Sequence, residues 1–128
     1  MEFNHIGVVC RSAENSDRFY ADIMGLEKRR ERVVPAAIIA TIFGINQDVK
    51  IIDYGNDAFL IEVFVVDHTP PKQKVAHCCI ELADRDAFVE KCAANGLPVI
   101  EVAKGDGGKI VFVDDFDGNR YEVKETVK

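Results

Sequence analysis

The stretch FNHIGVVC, residues 3–10, places a histidine, His5, inside a run of residues that is typical of a buried strand. The later stretch KVAHCCIEL, residues 74–82, repeats the arrangement with His77. Each histidine is followed by a helical pattern that ends in the dipeptide Gly-Leu, with the glycine 20 residues after the first histidine and 19 residues after the second. The chain is therefore predicted to contain two copies of one structural unit.

The hydrophobic pattern of each half predicts a strand, a helix and three further strands. In the first half the predicted elements are strands at 2–10, 26–34, 48–55 and 58–66, with helices at 12–25 and 35–44. In the second half they are strands at 75–82, 97–103, 109–115 and 120–126, with a helix at 84–96. The predicted fold class is α+β, with two tandem βαβββ modules of which the first carries an additional helix.

The polar segment DHTPPKQK, residues 67–74, separates the two halves, because it places two prolines between two apolar strands. We expect one domain over residues 1–128, an ordinary length for a single hydrophobic core. Within this domain, module 1 covers about 1–66 and module 2 covers about 75–128.

Composition and charge argue against several classes of function. The net charge is −6, and the cluster EKRRER alternates in sign as a solvated strand or loop does, so we expect no nucleic-acid partner. No apolar run approaches the roughly 20 residues of a membrane-spanning helix, and the first ten residues do not resemble a signal peptide. The four cysteines lack the CxxC spacing of a zinc or redox site. We interpret them as reduced core thiols of a cytoplasmic protein.

Each half ends in a strand with one internal glutamate, Glu62 in FLIEVF and Glu122 in RYEVKE. Taken alone, a strand histidine is more often a hydrogen-bonded core residue, and a strand glutamate usually faces solvent. Their repetition at equivalent positions instead predicts a site in which two imidazoles and two carboxylates surround one point. The candidate metal ligands are His5, Glu62, His77 and Glu122. Imidazole and carboxylate donors suit a borderline divalent ion, which leaves Zn²⁺, Ni²⁺, Co²⁺, Mn²⁺ and Fe²⁺ open.

The duplicated plan, with its histidines and glutamates, resembles the vicinal oxygen chelate superfamily of glyoxalase I, bleomycin-resistance proteins and extradiol dioxygenases. The matching stretches are NHIGVV, RFYADIMGL, FLIEVF, AHCCIEL and FVDDFDGNRYEV. In the last stretch, Phe116 stands where the family usually has a proline. The resemblance covers nearly the whole chain and implies that the two modules form a curved sheet around a metal-centred cleft.

The full set of two histidines and two glutamates is most similar to that of glyoxalase I, which isomerises the hemithioacetal of methylglyoxal and glutathione to lactoylglutathione. The resemblance implies one divalent metal ion per site, which holds the vicinal oxygens of the substrate and stabilises an enediolate as a Lewis acid. It also implies that a carboxylate beside the metal moves the substrate proton, with Glu122 and Glu62 as the candidate catalytic residues. Glutathione is the implied thiol co-substrate, and a homodimer is the implied assembly.

Glutathione and coenzyme A are anionic, so basic side chains are expected at the mouth of the site. Lys109 and Arg120 are the candidate substrate-binding residues, with Lys104 and Lys124 as further cations near the same strands. Each of these side chains is also compatible with an ordinary solvated surface charge. The additional helix at 35–44 is expected either to cover the cavity or to contribute to core packing.

Three alternatives remain open at this stage. A methylmalonyl-CoA epimerase-like enzyme would use the same chemistry, although that enzyme commonly has an amide ligand at the position of Glu62. An Fe²⁺ dioxygenase would need only two histidines and one carboxylate, so the fourth ligand argues against it. A non-catalytic binding protein of the drug-resistance type usually lacks the metal ligands, whereas this chain retains all four.

Overall fold

The computed structural model describes residues 1–127 and divides the chain into two compact units, Met1–Thr69 and Pro70–Lys128. The boundary falls within the polar segment at residues 67–74. The elements of the first unit are β1 (Ile6–Cys10), α1 (Ala13–Ser16) with a π-helical continuation (Asp17–Ile23), β2 (Glu27–Val34), α2 (Ala36–Phe43), β3 (Val49–Asn56) and β4 (Phe59–Val65). The elements of the second unit are β5 (Cys78–Leu82), α3 (Arg85–Ala94), β6 (Val99–Ala103), β7 (Lys109–Asp114) and β8 (Arg120–Glu125).

Each unit contains one four-stranded mixed sheet, and the two sheets have the same topology. The strand order is β1-β4-β3-β2 in the first unit and β5-β8-β7-β6 in the second. In both sheets the first strand of the unit pairs in parallel with the last strand, and the other pairs are antiparallel. The predicted α+β fold with two βαβββ modules is confirmed, including the additional helix in the first module.

One face of the first sheet is covered by the helical segment at residues 13–23. Ser12 caps this segment, because its side chain accepts a hydrogen bond from a backbone N–H three residues later at 3.1 Å. Phe19 and Tyr20 are fully buried, and the ring centroid of Tyr20 lies 5.6 Å from that of Tyr54 on β3. The helical segment therefore forms the core of module 1 with this face and leaves the opposite face for α2 and Glu62.

The opposite face of the first sheet carries α2. Side chains alternate between the two faces of a strand, so Ile51 and its register partner Phe64 share the face of Glu62, one row along the sheet. Ile39 of α2 is buried against this row. The same apolar cluster contains Val34, Val49, Ile51, Phe64 and Val66. Core packing by the additional helix is thus confirmed, and it takes place on the face that bears Glu62.

The second sheet is covered on one face by α3. Asp84 caps this helix by accepting a hydrogen bond from the backbone N–H of Ala87 at 3.0 Å. Phe88 and Cys92 of α3 are buried, and the helix packs on β6 and β8. Module 2 has no counterpart of α2, since residues 104–108 join β6 directly to β7. Within residues 1–127, none of the helices has the length and apolar character needed to span a bilayer.

The two histidines fall inside the predicted strands at 2–10 and 75–82 but just outside the observed strands, which corrects the strand boundaries expected from the sequence. β1 begins at Ile6 and β5 begins at Cys78, each one residue after its histidine, rather than at residues 2 and 75. Continued backwards, the parallel register places residues 2–3 and 75–76 before the first residues of β4 and β8. These positions have no strand beside them to pair with, so the paired segments start later than their composition indicates.

All four cysteines are free thiols, but only two of them are core residues. Cys10 and Cys92 are buried, and burial raises the pKa of the Cys92 thiol to about 11. Cys78 is partly exposed and Cys79 is exposed, because β5 is an edge strand of its sheet. The interpretation of all four as core thiols is therefore wrong for this adjacent pair.

Candidate metal centre

His5 and Glu62 lie together on one face of the first sheet. Glu62 of β4 is the register partner of Gly7 on β1, and His5 precedes Gly7 by two residues, so both side chains fall on the same side. The distance between His5 Nε2 and Glu62 Oε2 is 3.3 Å. The imidazole is 38% exposed and the carboxylate side chain 15% exposed, so a ligand can reach the pair while the carboxylate is largely shielded from water.

His77 and Glu122 repeat this arrangement in the second sheet. Glu122 of β8 is the register partner of Cys79 on β5, and His77 again precedes the partner residue by two positions. The distance between His77 Nε2 and Glu122 Oε2 is 3.7 Å, and the histidine is again more exposed than the glutamate. The internal repeat therefore extends from the strand order to the placement of the histidine and glutamate within each unit.

Hydrogen bonds to the two rings leave Nε2 as the nitrogen with a free lone pair. His77 Nδ1 lies 2.8 Å from the backbone oxygen of Val75, and His5 Nδ1 lies 2.6 Å from Asn4 Oδ1. Since an oxygen acceptor requires a hydrogen on the nitrogen that faces it, each neutral ring carries its proton on Nδ1. A protonated ring would donate from Nε2 to the carboxylate as an ion pair, whereas in a neutral ring the lone pair of Nε2 faces the carboxylate oxygen. A cation held between the neutral nitrogen and the carboxylate would satisfy both.

The donor types and their spacing fit a divalent metal ion. Nitrogen and oxygen ligands lie about 2.0–2.2 Å from Zn²⁺, and two such donors at a tetrahedral angle are then roughly 3.4 Å apart. The N···O distances of 3.3 Å and 3.7 Å in the two pairs lie on either side of this value. In each ring the Nδ1–H group is held by an oxygen, which is the usual second contact of a metal-bound histidine.

The four predicted ligands occur as two pairs, one in each unit. Within residues 1–127, no group of three or more His, Cys, Asp or Glu side chains has the geometry of a metal site. Each pair supplies half of the ligand set that the sequence predicts.

Glu62 has a second ion pair, which involves a residue that the sequence analysis missed. Arg32 Nη2 lies 3.5 Å from Glu62 Oε1, and Arg32 Nη1 lies 3.1 Å from Asp53 Oδ2. Asp53 is buried on β3 and is the register partner of Glu62. Arg32 belongs to the EKRRER cluster, whose alternating charges indicate a solvated surface. Its partners come from two other strands, which no local pattern in the sequence reveals.

Glu122 has a different set of neighbours. Cys79 of β5 and Phe112 of β7 flank it in the register, and the ring of Phe112 packs edge-on against His77 with a centroid distance of 5.3 Å. Burial, followed by the charge of the Glu122 carboxylate, raises the pKa of the Cys79 thiol, which is therefore protonated near neutral pH. Among residues 1–127, no lysine or arginine forms an ion pair with Glu122.

Lys109, a predicted substrate-binding residue, lies on the other face of the second sheet. It is three positions from Phe112, the register partner of Glu122, so its side chain projects to the side of α3. Lys109 Nζ lies 3.4 Å from Asp86 Oδ1 on α3 and 3.4 Å from Glu101 Oε1 on β6. This placement argues against contact between Lys109 and a ligand held by Glu122.

Arg120, the other predicted substrate-binding residue, shares the face of Glu122 but is held in a structural ion pair. Arg120 Nε and Nη2 lie 2.9 Å and 3.1 Å from the two carboxylate oxygens of Asp114, and Lys74 Nζ lies 2.9 Å from Asp114 Oδ2. Burial by itself would raise the pKa of Asp114, but hydrogen bonds and charge from Arg120 and Lys74 hold it below its usual value. Arg120 therefore stabilises the β7–β8 hairpin and the segment before β5.

The other two cations expected near the site, Lys104 and Lys124, are exposed. Lys104 lies in the turn between β6 and β7, and Lys124 lies on β8, two residues beyond Glu122 and on the same face. Lys124 is thus the one of the four expected cations that is both solvent-exposed and on the Glu122 side of the sheet, among the residues that the structure describes.

Solved structures with this fold include several glyoxalase family proteins. The Enterococcus faecalis glyoxalase family protein is 18% identical with a TM-score of 0.72, and the match covers 95% of each chain. The Bacillus cereus glyoxalase family protein is 15% identical with a TM-score of 0.74, over 100% of this chain and 95% of that one. The fosfomycin resistance protein FosX from Listeria monocytogenes, solved with Mn(II) and sulfate, is 15% identical with a TM-score of 0.69, over 98% and 93% of the two chains.

Sequence comparison gives the family. No curated protein matches the chain at a significant level. A family model described as Glyoxalase/Bleomycin resistance protein/Dioxygenase superfamily matches residues 4–112, which confirms the resemblance seen in the repeated motifs. Because this match covers most of the 128 residues and the fold agrees with it, the chain belongs to the glyoxalase/bleomycin resistance protein/dioxygenase superfamily.

Proposed function

We propose that the protein is a metal-dependent isomerase or lyase of the glyoxalase type, which acts on a small carbon acid with vicinal oxygens. The proposed ligands of one divalent cation are His5, Glu62, His77 and Glu122. Glutathione is the proposed thiol that forms the substrate adduct, so the specific reaction is that of a lactoylglutathione lyase. A homodimer is the proposed assembly.

The observation that carries this proposal is the repeated orientation of the two histidines. In both units, Nδ1 is bonded to an oxygen and Nε2 faces a glutamate oxygen within 3.7 Å. A core histidine would turn a protonated nitrogen towards the carboxylate, or be buried with it. Both imidazoles are instead more than one-third exposed, which leaves them open to a ligand from solvent.

The two glutamates take different roles in the proposed reaction. When bound, a divalent cation supplies Lewis-acid charge beside the substrate oxygens, which makes the neighbouring C–H group more acidic. Glu122 is the proposed general base, which accepts the proton from the carbon next to the carbonyl group and returns it to the adjacent carbon. Glu122 suits this role because its carboxylate is not held by a guanidinium group, whereas Glu62 shares Arg32 with Asp53.

The surface around Glu122 supports a partly apolar substrate with an anionic end. Phe112, Ile110 and Ile100 lie on the face of Glu122 by strand register, and the two isoleucines are 37% and 40% exposed. Apolar side chains that line a polar catalytic group are typical of small-molecule sites. Lys124 on the same face is the proposed contact for a glutathione carboxylate, in place of Lys109.

The test combines metal analysis with an activity assay on the same sample. Protein purified without a metal-affinity tag is analysed for bound metals and then reconstituted with Ni²⁺, Co²⁺, Zn²⁺ or Mn²⁺, the last because FosX was solved with Mn(II). We expect about one metal ion per chain and turnover of methylglyoxal with glutathione. Glu122→Gln is expected to lower kcat by about 10²-fold or more, since it removes the base and keeps the shape of the side chain.

Three outcomes would lead to different conclusions. Metal binding with turnover that Glu122→Gln abolishes supports the whole proposal. Metal binding without turnover would reject the lactoylglutathione lyase reaction, and methylmalonyl-CoA would then be assayed as the substrate of the epimerase alternative. Failure to bind any of the four metals would reject the metal centre and favour a binding protein of the drug-resistance type.

A further inference from the structure

The two histidine–glutamate pairs differ in the residues around the glutamate, because Arg32 forms an ion pair with Glu62. The guanidinium group of Arg32 bridges two carboxylates, with Nη1 at 3.1 Å from Asp53 Oδ2 and Nη2 at 3.5 Å from Glu62 Oε1. In the second sheet, the register position that corresponds to Asp53 is occupied by Phe112. The two units therefore carry the same proposed ligands, but Arg32 contacts the glutamate of the first unit and a phenylalanine lies beside the glutamate of the second.

Arg32 restricts which oxygen of Glu62 is free. The contact with Arg32 occupies Oε1, while Oε2 faces His5 Nε2 at 3.3 Å. An unsupported glutamate side chain rotates about its last torsion, which costs entropy when one orientation is required. We infer that Arg32 is a positioning residue, which fixes the Glu62 carboxylate so that Oε2 alone points to the metal position; this inference rests on the proposed function.

Asp53 makes this arrangement compatible with a nearby cation. A lone guanidinium group beside a metal site would repel the metal, but the charges of Arg32 and Asp53 cancel at a short distance. Asp53 is 7% exposed, and its Oδ2 atom lies 3.1 Å from Arg32 Nη1, so the carboxylate that neutralises the guanidinium group is itself largely buried. The pair thus contributes orientation to Glu62 with little net charge.

Arg32→Lys is the variant that separates orientation from charge. Lysine keeps the positive charge but replaces the planar fork, which can hold two carboxylates at once, with a single ammonium group. Substitutions in the groups that orient metal ligands typically reduce metal affinity 10–100-fold. We expect Arg32→Lys to raise the Kd for Mn²⁺ by at least tenfold, measured by calorimetry on the metal-free full chain.

A double-mutant cycle tests whether the effect passes through Glu62. In the Glu62→Ala background, Arg32→Lys should leave the Kd for Mn²⁺ unchanged, because the side chain that it orients is gone. In the Glu122→Ala background it should weaken binding by the same factor as in the wild type. Arg29→Lys is the matched control, since Arg29 lies on the same strand but forms its ion pairs with Glu27 and Asp57, so it should have no effect on the Kd.

The outcomes distinguish this inference from the proposed function. If the wild type binds Mn²⁺ and Arg32→Lys binds it equally well, the positioning role is rejected and the metal centre stands. An equal loss in the Glu62→Ala background would also reject the role, because Arg32 would then act through general stability. A wild-type chain that binds no Mn²⁺, Ni²⁺, Co²⁺ or Zn²⁺ would reject the metal centre and the role of Arg32 together.

Discussion

Cys79 and Glu122 are direct neighbours across the parallel β5–β8 pairing, in the position that Gly7 and Glu62 occupy in the first sheet. The glycine gives the ring of Phe64 room beside one proposed ligand, since a Cβ atom at Gly7 would lie 3.3 Å from Phe64 Cε2, whereas the cysteine places a thiol beside the other. Cys79 is also exposed, unlike the buried Cys10 and Cys92. This thiol is therefore a natural reporter for the surroundings of Glu122.

Native thiol labelling should follow the exposure of the four cysteines. With iodoacetamide at pH 7.5, we expect Cys79 to be alkylated first and Cys78 more slowly, while Cys10 and Cys92 react only after unfolding. The raised pKa of Cys79 should make even this thiol react more slowly than free cysteine. Peptide mass spectrometry over a time course measures the order. Rapid native labelling of Cys92 would contradict the burial described for α3.

Loss of either histidine should remove bound metal to a similar extent. His5→Ala and His77→Ala each remove one proposed ligand, and we expect the bound metal per chain to fall at least tenfold while the fold is retained. Metal is quantified by elemental analysis after equilibrium dialysis, and the fold by circular dichroism. His68→Ala is the control, because His68 Nδ1 faces the backbone oxygen of Val66 at 3.4 Å and His68 is not a proposed ligand. Full metal content in His5→Ala and His77→Ala would refute the assignment.

Asp114 should contribute stability that is lost in acid. Its pKa is lower in the folded chain than in the unfolded chain, so its contribution is fully present above about pH 4 and declines as the pH falls through the folded-state value. Asp114→Asn should lower the free energy of unfolding at pH 7 by about 3 kcal/mol, because Arg120 and Lys74 lose their shared partner.

Urea unfolding at pH 7 and at pH 3 measures this effect. The difference between the wild type and Asp114→Asn should shrink at pH 3, because the unfolded-state carboxyl group is then largely protonated while the pKa of the folded-state group is lower. Asp67→Asn is the control, since Asp67 is exposed and should change stability by less than about 0.5 kcal/mol at either pH. An Asp114→Asn effect that does not change with pH would contradict an ionic role.

Gly55 should be far less tolerant of alanine than Gly105. A Cβ atom at Gly55 would lie 2.5 Å from the backbone oxygen of Phe59 and 3.0 Å from Leu60 Cδ1, so the β3–β4 hairpin would have to shift. We expect Gly55→Ala to lower the free energy of unfolding by about 1–3 kcal/mol, measured by urea titration. Gly105→Ala is the control, because nothing lies within 4 Å of its added Cβ atom. Equal stability of the two variants would contradict the close strand approach at Gly55.

Most of the fold could be predicted because patterns among neighbouring residues mark the helices and strands of each module. Strand alternation, helix caps such as Ser12, and the glycines after the helices are read from neighbouring residues, and they gave all eight strands and the three helical segments within a few positions. The starts of β1 and β5 could not be predicted in this way. The start of a paired strand depends on where its partner lies, and the parallel partners of these strands lie more than 40 residues away in the sequence.

The candidate site was predictable only in its repeated part. The histidines and glutamates stand out because they recur, whereas Arg32 and Asp53 occur once and meet only through the β2–β3–β4 register. Lys109 shows why the face of a strand residue matters for such a prediction. Its position at the start of β7 favours a ligand contact, whereas the alternation of β7 turns it towards Asp86 on α3. A shift of one residue along a strand moves a side chain to the other face of the sheet, and composition carries no information about that shift.

The connection between the second and third strands of each module has an evolutionary consequence. In module 1 it spans residues 35–48 and contains α2, while in module 2 it spans only residues 104–108. Both lengths coexist with the same histidine–glutamate register, so this connection accepts insertions without disturbing the strands that hold the donors. In a duplicated chain of this kind, the connection in one module can therefore change in length without a change in the other module. For protein engineering, the segment at residues 104–108 is therefore the place to graft a new loop or helix when a different ligand is sought.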